Sequence, residues 1–169
     1  DGGAKILAVA DADGNPLAHT LNDTMMRVDL PAPLVTGGQV SFSIEWTYLI
    51  NDSKKQGGRT GFEHFEKDGN AIFELAQWFP RMAAYTDYTG WQHKQFLGAG
   101  EFTLEFGDYV VHLTVPEDHV VASTGVLQNP DEVLLPAWKE RLEQARSAER
   151  PLFVVTPEEA KENEKEQAS

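Results

Sequence analysis

Residues 39–48 read QVSFSIEWTY, and they decide the fold class. Val40, Phe42, Ile44, Trp46 and Tyr48 fall on one side of an extended chain, and Ser41, Ser43, Glu45 and Thr47 on the other. This period-two alternation is the pattern of a strand in a half-buried sheet. The pattern recurs on either side. TMMRVDL at 24–30 sets Met26, Val28 and Leu30 against Arg27 and Asp29. EFTLEF at 101–106 sets Phe102, Leu104 and Phe106 against Glu101, Thr103 and Glu105. YVVHLTV at 109–115 sets Tyr109, Val111, Leu113 and Val115 against His112 and Thr114. Asp13-Gly14, Gly37-Gly38, Asp68-Gly69 and Gly107-Asp108 read as turns between such runs. Short strands separated by turns, with no βαβ alternation, predict an all-β chain arranged as an antiparallel sheet or sandwich.

The character changes at Asn129. NPDE offers Asn129 as an N-cap, Pro130 at the first helical position and Glu132 in the first turn. Pro136 breaks or restarts that helix. Leu135, Trp138, Leu142 and Ala145 then follow at helical spacing, which predicts one docked face. PLFVV at 151–155 could be one more strand. Thr156 and Glu159 form a second capping-box start, and the acidic run from Thr156 to Ser169 reads as a solvated tail. We therefore expect a β domain over 1–128 and a short helical C-terminal tail over 129–169.

The 169 residues suffice for one domain with a sizeable core. The formal net charge of -13 argues against nucleic acid and against anionic membrane surfaces, since both need basic patches. There are no cysteines, so disulfides, zinc thiolates and thiol chemistry are excluded. No apolar run approaches the roughly 18 residues of a membrane span. The opening DGGAK suggests a processed or shortened form.

The usual catalytic patterns are missing. His19, His64, His93, His112 and His119 include no HExxH and no i, i+4 pair on a predicted helix. Glu101 and Glu105 share a strand face, but four residues of strand separate them by roughly 13 Å. Glycosidase pairs need roughly 5 to 9.5 Å. LGAGEF and GGRTGF complete no phosphate loop, and no G-x-S-x-G is present. Asn22-Asp23-Thr24 and Asn51-Asp52-Ser53 fit the glycosylation sequon, which matters only in a eukaryotic secretory pathway.

The segment AQWFPRMAAYTDYTGWQ at 76–92 concentrates two Trp, two Tyr and a Phe. With GGRTGFE at 57–63, AQWFPRMAAYTD at 76–87, GAGEFTLEFGDY at 98–109, LTVP at 113–116 and GVLQNP at 125–130, the chain resembles the amino-terminal domain of zinc aminopeptidases of the aminopeptidase N family. The resemblance is closest to a bacterial branch and covers roughly residues 4–160. It implies a saddle-shaped, mostly antiparallel β domain that packs beside a thermolysin-like catalytic domain. That catalytic domain carries HExxH, a third zinc ligand and a GAMEN-type loop, none of which occurs here. The resemblance thus implies that this chain alone is inactive and holds no cofactor, with zinc in a catalytic domain elsewhere. It also implies an intramolecular catalytic-domain partner, a peptide substrate, and a periplasmic or secreted bacterial parent. Family members place a Gln at the end of the strand that enters this segment, where it binds the free amino group of the substrate. Ala76-Gln77 is the matching dipeptide, although the family usually has Thr-Gln, so Gln77 is the implied substrate-binding residue. A carboxamide oxygen can accept an N–H from an ammonium without adding full charge. Trp78, Phe79, Tyr85 and Trp91 would then pack the core and a domain interface.

Two other classes compete. In a carbohydrate-binding β-sandwich, Trp78, Tyr85, Tyr88 and Trp91 would stack on sugar rings. An immunoglobulin-like interaction module would bind no small ligand, and its usual Cys pair is missing. The helical tail after Asn129 suits neither.

Overall fold

The computed structural model describes residues 3–57, 60–67, 69–96, 98 and 103–164. Their strands are β1 (Lys5–Asp11), β2 (His19–Asn22), β3 (Met25–Val28), β4 (Phe42–Thr47), β5 (Gly61–His64), β6 (Ala71–Glu74), β7 (Tyr85–Thr86) and β8 (Gly90–Trp91). Their helices are α1 (Ser53–Gln56), α2 (Pro130–Val133), α3 (Pro136–Ala145) and α4 (Pro157–Asn163). The fold is β-rich. The strands pair two by two, as β1–β4, β2–β3, β5–β6 and β7–β8. Contacts divide the chain into two units, one of residues 1–63 and 72–110, the other of 64–71 and 111–169.

In the first unit, the alternation of 42–47 becomes β4 as expected. Phe42, Ile44 and Trp46 are half-buried, while Ser43, Glu45 and Thr47 are exposed. β4 runs antiparallel to β1, with Val9 opposite Ile44 and Asp11 opposite Phe42. The register slips between Ile6 and Ala8, and the extra residue, Leu7, is left half exposed. An inserted residue of this kind is a β-bulge, and it reverses the side-chain phase along the strand. β1 ends in a turn held by the Asp11 carboxylate, which accepts from the Asp13 and Asn15 amides at 2.9 and 2.8 Å. Gly14 supplies the positive φ of +83° that closes it, and Leu17 N–H returns to the Val9 carbonyl at 2.9 Å. Val9 and Leu17 are the buried apolar pair here.

β2 and β3 form an antiparallel hairpin with Asn22 opposite Met25. Gln95 fastens its tip. Its carbonyl accepts from Thr24 N–H at 2.9 Å and from the Thr24 hydroxyl at 2.7 Å, and its amide donates to the Asn22 carbonyl at 2.7 Å. The Asn22-Asp23-Thr24 sequon therefore sits in a hydrogen-bonded corner. Phe62 of β5 and Phe73 of β6 bring their rings to 6.1 Å.

Two expected strands are not formed. In EFTLEF, Glu101 and Phe102 lie outside the described residues, and Leu104 makes a single antiparallel bridge to Ala83. YVVHLTV joins no ladder, and its residues are all exposed. Alternation makes a segment competent to pair, but it does not supply the neighbouring edge. Asp13-Gly14 and Gly37-Gly38 are turns, whereas Gly107-Asp108 lies in irregular chain. Asp68 lies outside the described residues.

The second unit carries α2, α3 and α4. Pro130 opens α2, and Asn129 caps it without its side chain reaching the backbone. The Asn129 amide instead donates to the Glu132 carboxylate at 2.9 Å. Pro136 restarts the chain as α3, where Trp138 is buried, Leu142 and Ala145 are half-buried, and Leu135 is exposed. PLFVV is not a strand, and Phe153 is exposed. Thr156 and Glu159 form the full capping box at the start of α4. The acidic stretch is thus helical over 157–163, and residues 165–169 lie outside the described residues. Glu159 also takes a bidentate pair from Arg141 of α3, at 2.6 and 2.9 Å, which ties the two helices. Arg141 further donates to the Val154 carbonyl at 2.8 Å.

Among the described residues, Val9, Leu17, Ala84 and Trp138 are the buried hydrophobic residues, while Val110, Val111, Leu113, Val115, Val120 and Val121 are exposed. Apolar area of this extent drives association. We predict concentration-dependent self-association in sedimentation velocity and enhanced emission of a hydrophobic dye. A monodisperse monomer that leaves the dye dark would contradict this.

The Arg141 pair and the Thr156 amide hold the Glu159 carboxyl down at about 2, against an ordinary 4.5. A lowered folded-state pKa contributes stability that is complete above the unfolded value and is lost as pH falls through the folded one. Helical signal at 222 nm should therefore decline between about pH 4.5 and 2, and Glu159→Gln should remove the part of that decline due to this group. An unchanged acid profile in the variant would rule out the clasp.

Candidate functional site

The aromatic segment begins where β6 ends. Leu75, Ala76 and Gln77 leave the ladder in a bend, with Gln77 at φ +52°, in the left-handed region. That region is costly for a residue with a Cβ and is usual for Gly or Asn. Gln77 thus lies three positions beyond the last residue of β6. Its carboxamide is exposed and makes no hydrogen bond among the described residues.

The next side chains hold the bend. The Trp78 ring packs on Trp46 of β4 at 6.3 Å and meets Phe79 edge-on at 5.1 Å. Phe79 meets Tyr109 at 6.0 Å, again edge-on. This order follows from the sequence. Trp46 ends the inward face of β4, and Pro80 fixes the backbone after Phe79 in extended chain. Each tilted or edge-to-face pair is worth about 0.5–1.5 kcal/mol beyond its buried area. Arg81 lies over Phe79 and Tyr109, 5.9 and 5.6 Å from their centroids.

The rings farther along stand apart from this row. Tyr85 and Trp91 face each other across the β7–β8 hairpin at 5.2 Å and 79°, closed by Gly90 at φ +70°. Tyr85 is 61%, Tyr88 81% and Trp91 52% exposed. Of the four rings expected to pack, Trp78 and Phe79 are half-buried, while Tyr85 and Trp91 stay largely open to solvent. The Glu105 carboxylate accepts from Tyr85 N–H at 3.2 Å and so steadies the hairpin.

The titratable candidates do not gather. His19 and His93 bond to the carbonyls of Leu17 and Trp91 at 3.1 and 2.8 Å. His119 contacts Asp118 at 2.8 Å. Among the described residues no three His, Asp or Glu side chains are grouped to hold a metal ion. Among them also, no helix is long and apolar enough to cross a membrane. Glu101 lies outside the described residues, so the Glu101–Glu105 spacing has no structural counterpart. A shallow groove of about 480 Å³ runs between α2 and α3, lined by Asp131, Leu134, Pro136, Lys139, Glu140 and Glu143. Its cation, Lys139, is taken by the Asp131 carboxylate.

Reasoning from sequence picked out Gln77 and the rings but missed Arg81, because no spacing rule links it to Tyr109, 28 positions on. Comparison with family profiles, with curated proteins and with solved structures finds no match to this chain.

The left-handed bend gives a direct test of strain. Gln77→Gly should raise the free energy of unfolding by about 1 kcal/mol, since Gly adopts this φ without steric cost. No gain, or a loss, in urea denaturation would mean that the carboxamide itself holds the bend.

Proposed function

We propose that the chain is the non-catalytic amino-terminal domain of a zinc aminopeptidase, and that Gln77 grips the substrate's free amino terminus. The observation that carries this is the exposed, unbonded carboxamide of Gln77, held at φ +52° beside the row of packed rings. Non-glycine residues in that conformation cluster where a side chain must be aimed. The sequence resemblance supplies what it is aimed at. In this reading the fold is the saddle-like antiparallel domain of that family, and the open apolar surface is covered by the catalytic domain. Zinc is held by residues of that domain and not by this chain.

Gln77 has no proton to give or take at working pH. Its role is to orient an ammonium by a hydrogen bond and so help hold the scissile bond in reach, which is positioning work. Tyr85 and Trp91 meet edge to face at 79°, so these two rings do not form one flat face for a sugar.

The reading is tested in the coding frame that encodes this chain. It predicts an HExxH, a third acidic ligand on a following helix and a GAMEN-like loop in the same polypeptide. It also predicts no hydrolysis of alanine p-nitroanilide by the 169-residue chain, with or without added zinc. A frame without zinc ligands, or turnover by this chain alone, would overturn it.

A further inference from the structure

We propose that Arg81 and Tyr109 form a carboxylate-binding site on the first unit, a site that does not rest on the peptidase reading. The chain carries 27 Asp and Glu against 14 Lys and Arg, so a guanidinium has many possible partners. Arg27, Arg141 and Arg146 each take one. Among the described residues Arg81 and Arg150 take none, and only Arg81 is fixed between aromatic rings. Glu105 presents its backbone carbonyl, not its carboxylate, to Arg81 Nη2 at 3.4 Å, and one carboxylate oxygen accepts from Tyr85 N–H at 3.2 Å. Nη2 also donates to the Tyr109 hydroxyl oxygen at 3.2 Å. The rings of Phe79 and Tyr109 lie 5.9 and 5.6 Å from the guanidinium carbon and 6.0 Å from each other, so the three groups form a nearly equilateral triangle.

The consequence is a pre-oriented cation. The aromatic walls and two weak hydrogen bonds set the plane of the guanidinium, and no acceptor among the described residues occupies Nε or Nη1. Both forks of a guanidinium include Nη2, whose two protons are taken, so an incoming carboxylate receives one charge-assisted bond from Arg81, from Nε–H or Nη1–H. Tyr109 adds a second donor. Its oxygen already accepts from Arg81, so its own proton is left for an incoming oxygen. Two donors therefore converge on one anion. The ligand class is a peptide carboxylate, from an acidic side chain or from a chain terminus.

The test uses the intact chain labelled with ¹⁵N, at low ionic strength. It is titrated with N-acetylglycine for a terminal carboxylate, N-acetylaspartate amide for a side-chain carboxylate and N-acetylasparagine amide as the neutral control. The readouts are the Arg81 Nε–H signal and the Trp78 indole N–H, whose ring stands 5.1 Å from Phe79. We expect both signals to shift saturably with at least one carboxylate and not with the neutral amide, the tighter ligand identifying the source. Tyr109→Phe should raise the half-saturating concentration severalfold. Arg81→Gln should abolish the Trp78 shift, and Arg81→Lys should restore only part of it. Equal shifts with the neutral amide would overturn the site, as would no shift of Arg81 Nε–H with either acid. So would a Trp78 response that survives Arg81→Gln in a variant with unchanged far-ultraviolet dichroism.

Discussion

The row of rings from Trp46 through Trp78 and Phe79 to Tyr109 is the contact on which the first unit depends. Among the described residues its sheets are two strands wide, and an isolated pair of strands is marginal in water. Trp46 ends the inward face of β4, and through it the β1–β4 pair reaches residues 76–81. Without that contact the bend at Gln77 has no support, because β6 has ended and the backbone there is in a costly conformation. The same rings set the plane of Arg81. One packing interaction thus holds both features to which a function can be attached.

The second physical fact is the shortage of burial. Alternating apolar residues over 109–115 stand exposed where a half-buried sheet would hide every second one. A hydrophobic face without cover is a demand for a partner. In the proposed reading, a catalytic domain in the same polypeptide would meet that demand, with covalent linkage supplying a high effective concentration. This logic joins the exposed surface to the proposed role.

What the sequence revealed, and what it did not, follows from the reach of each signal. β4 was legible because Phe42, Ile44 and Trp46 alternate with Ser43, Glu45 and Thr47 without interruption. β1 was not, because the bulge at Leu7 shifts the phase and the run Ile6–Ala10 is apolar throughout. The Thr156–Glu159 box was legible because it is local, needing only three residues of separation. The pair of Glu159 with Arg141 was not, since it spans 18 positions. Residues 103–115 alternate well, yet alternation is silent about which strand lies alongside. For the candidate site, the residue type of Gln77 and its aromatic neighbours could be read directly. Its left-handed backbone could not, because neither Gly nor Asn marks the position. The Arg81–Tyr109 contact likewise depends on the tertiary path of the chain.

The central claim is that the Gln77 carboxamide recognises a free amino terminus. Its most direct measurement compares the whole encoded protein with its Gln77→Ala variant on paired peptides, one with a free and one with an acetylated amino terminus. The account predicts that kcat/KM for the free-amino peptide falls about 10- to 100-fold, the range for loss of one hydrogen bond to a charged group, while the acetylated peptide is equally poor for both proteins. An unchanged kcat/KM for the free-amino peptide would contradict it.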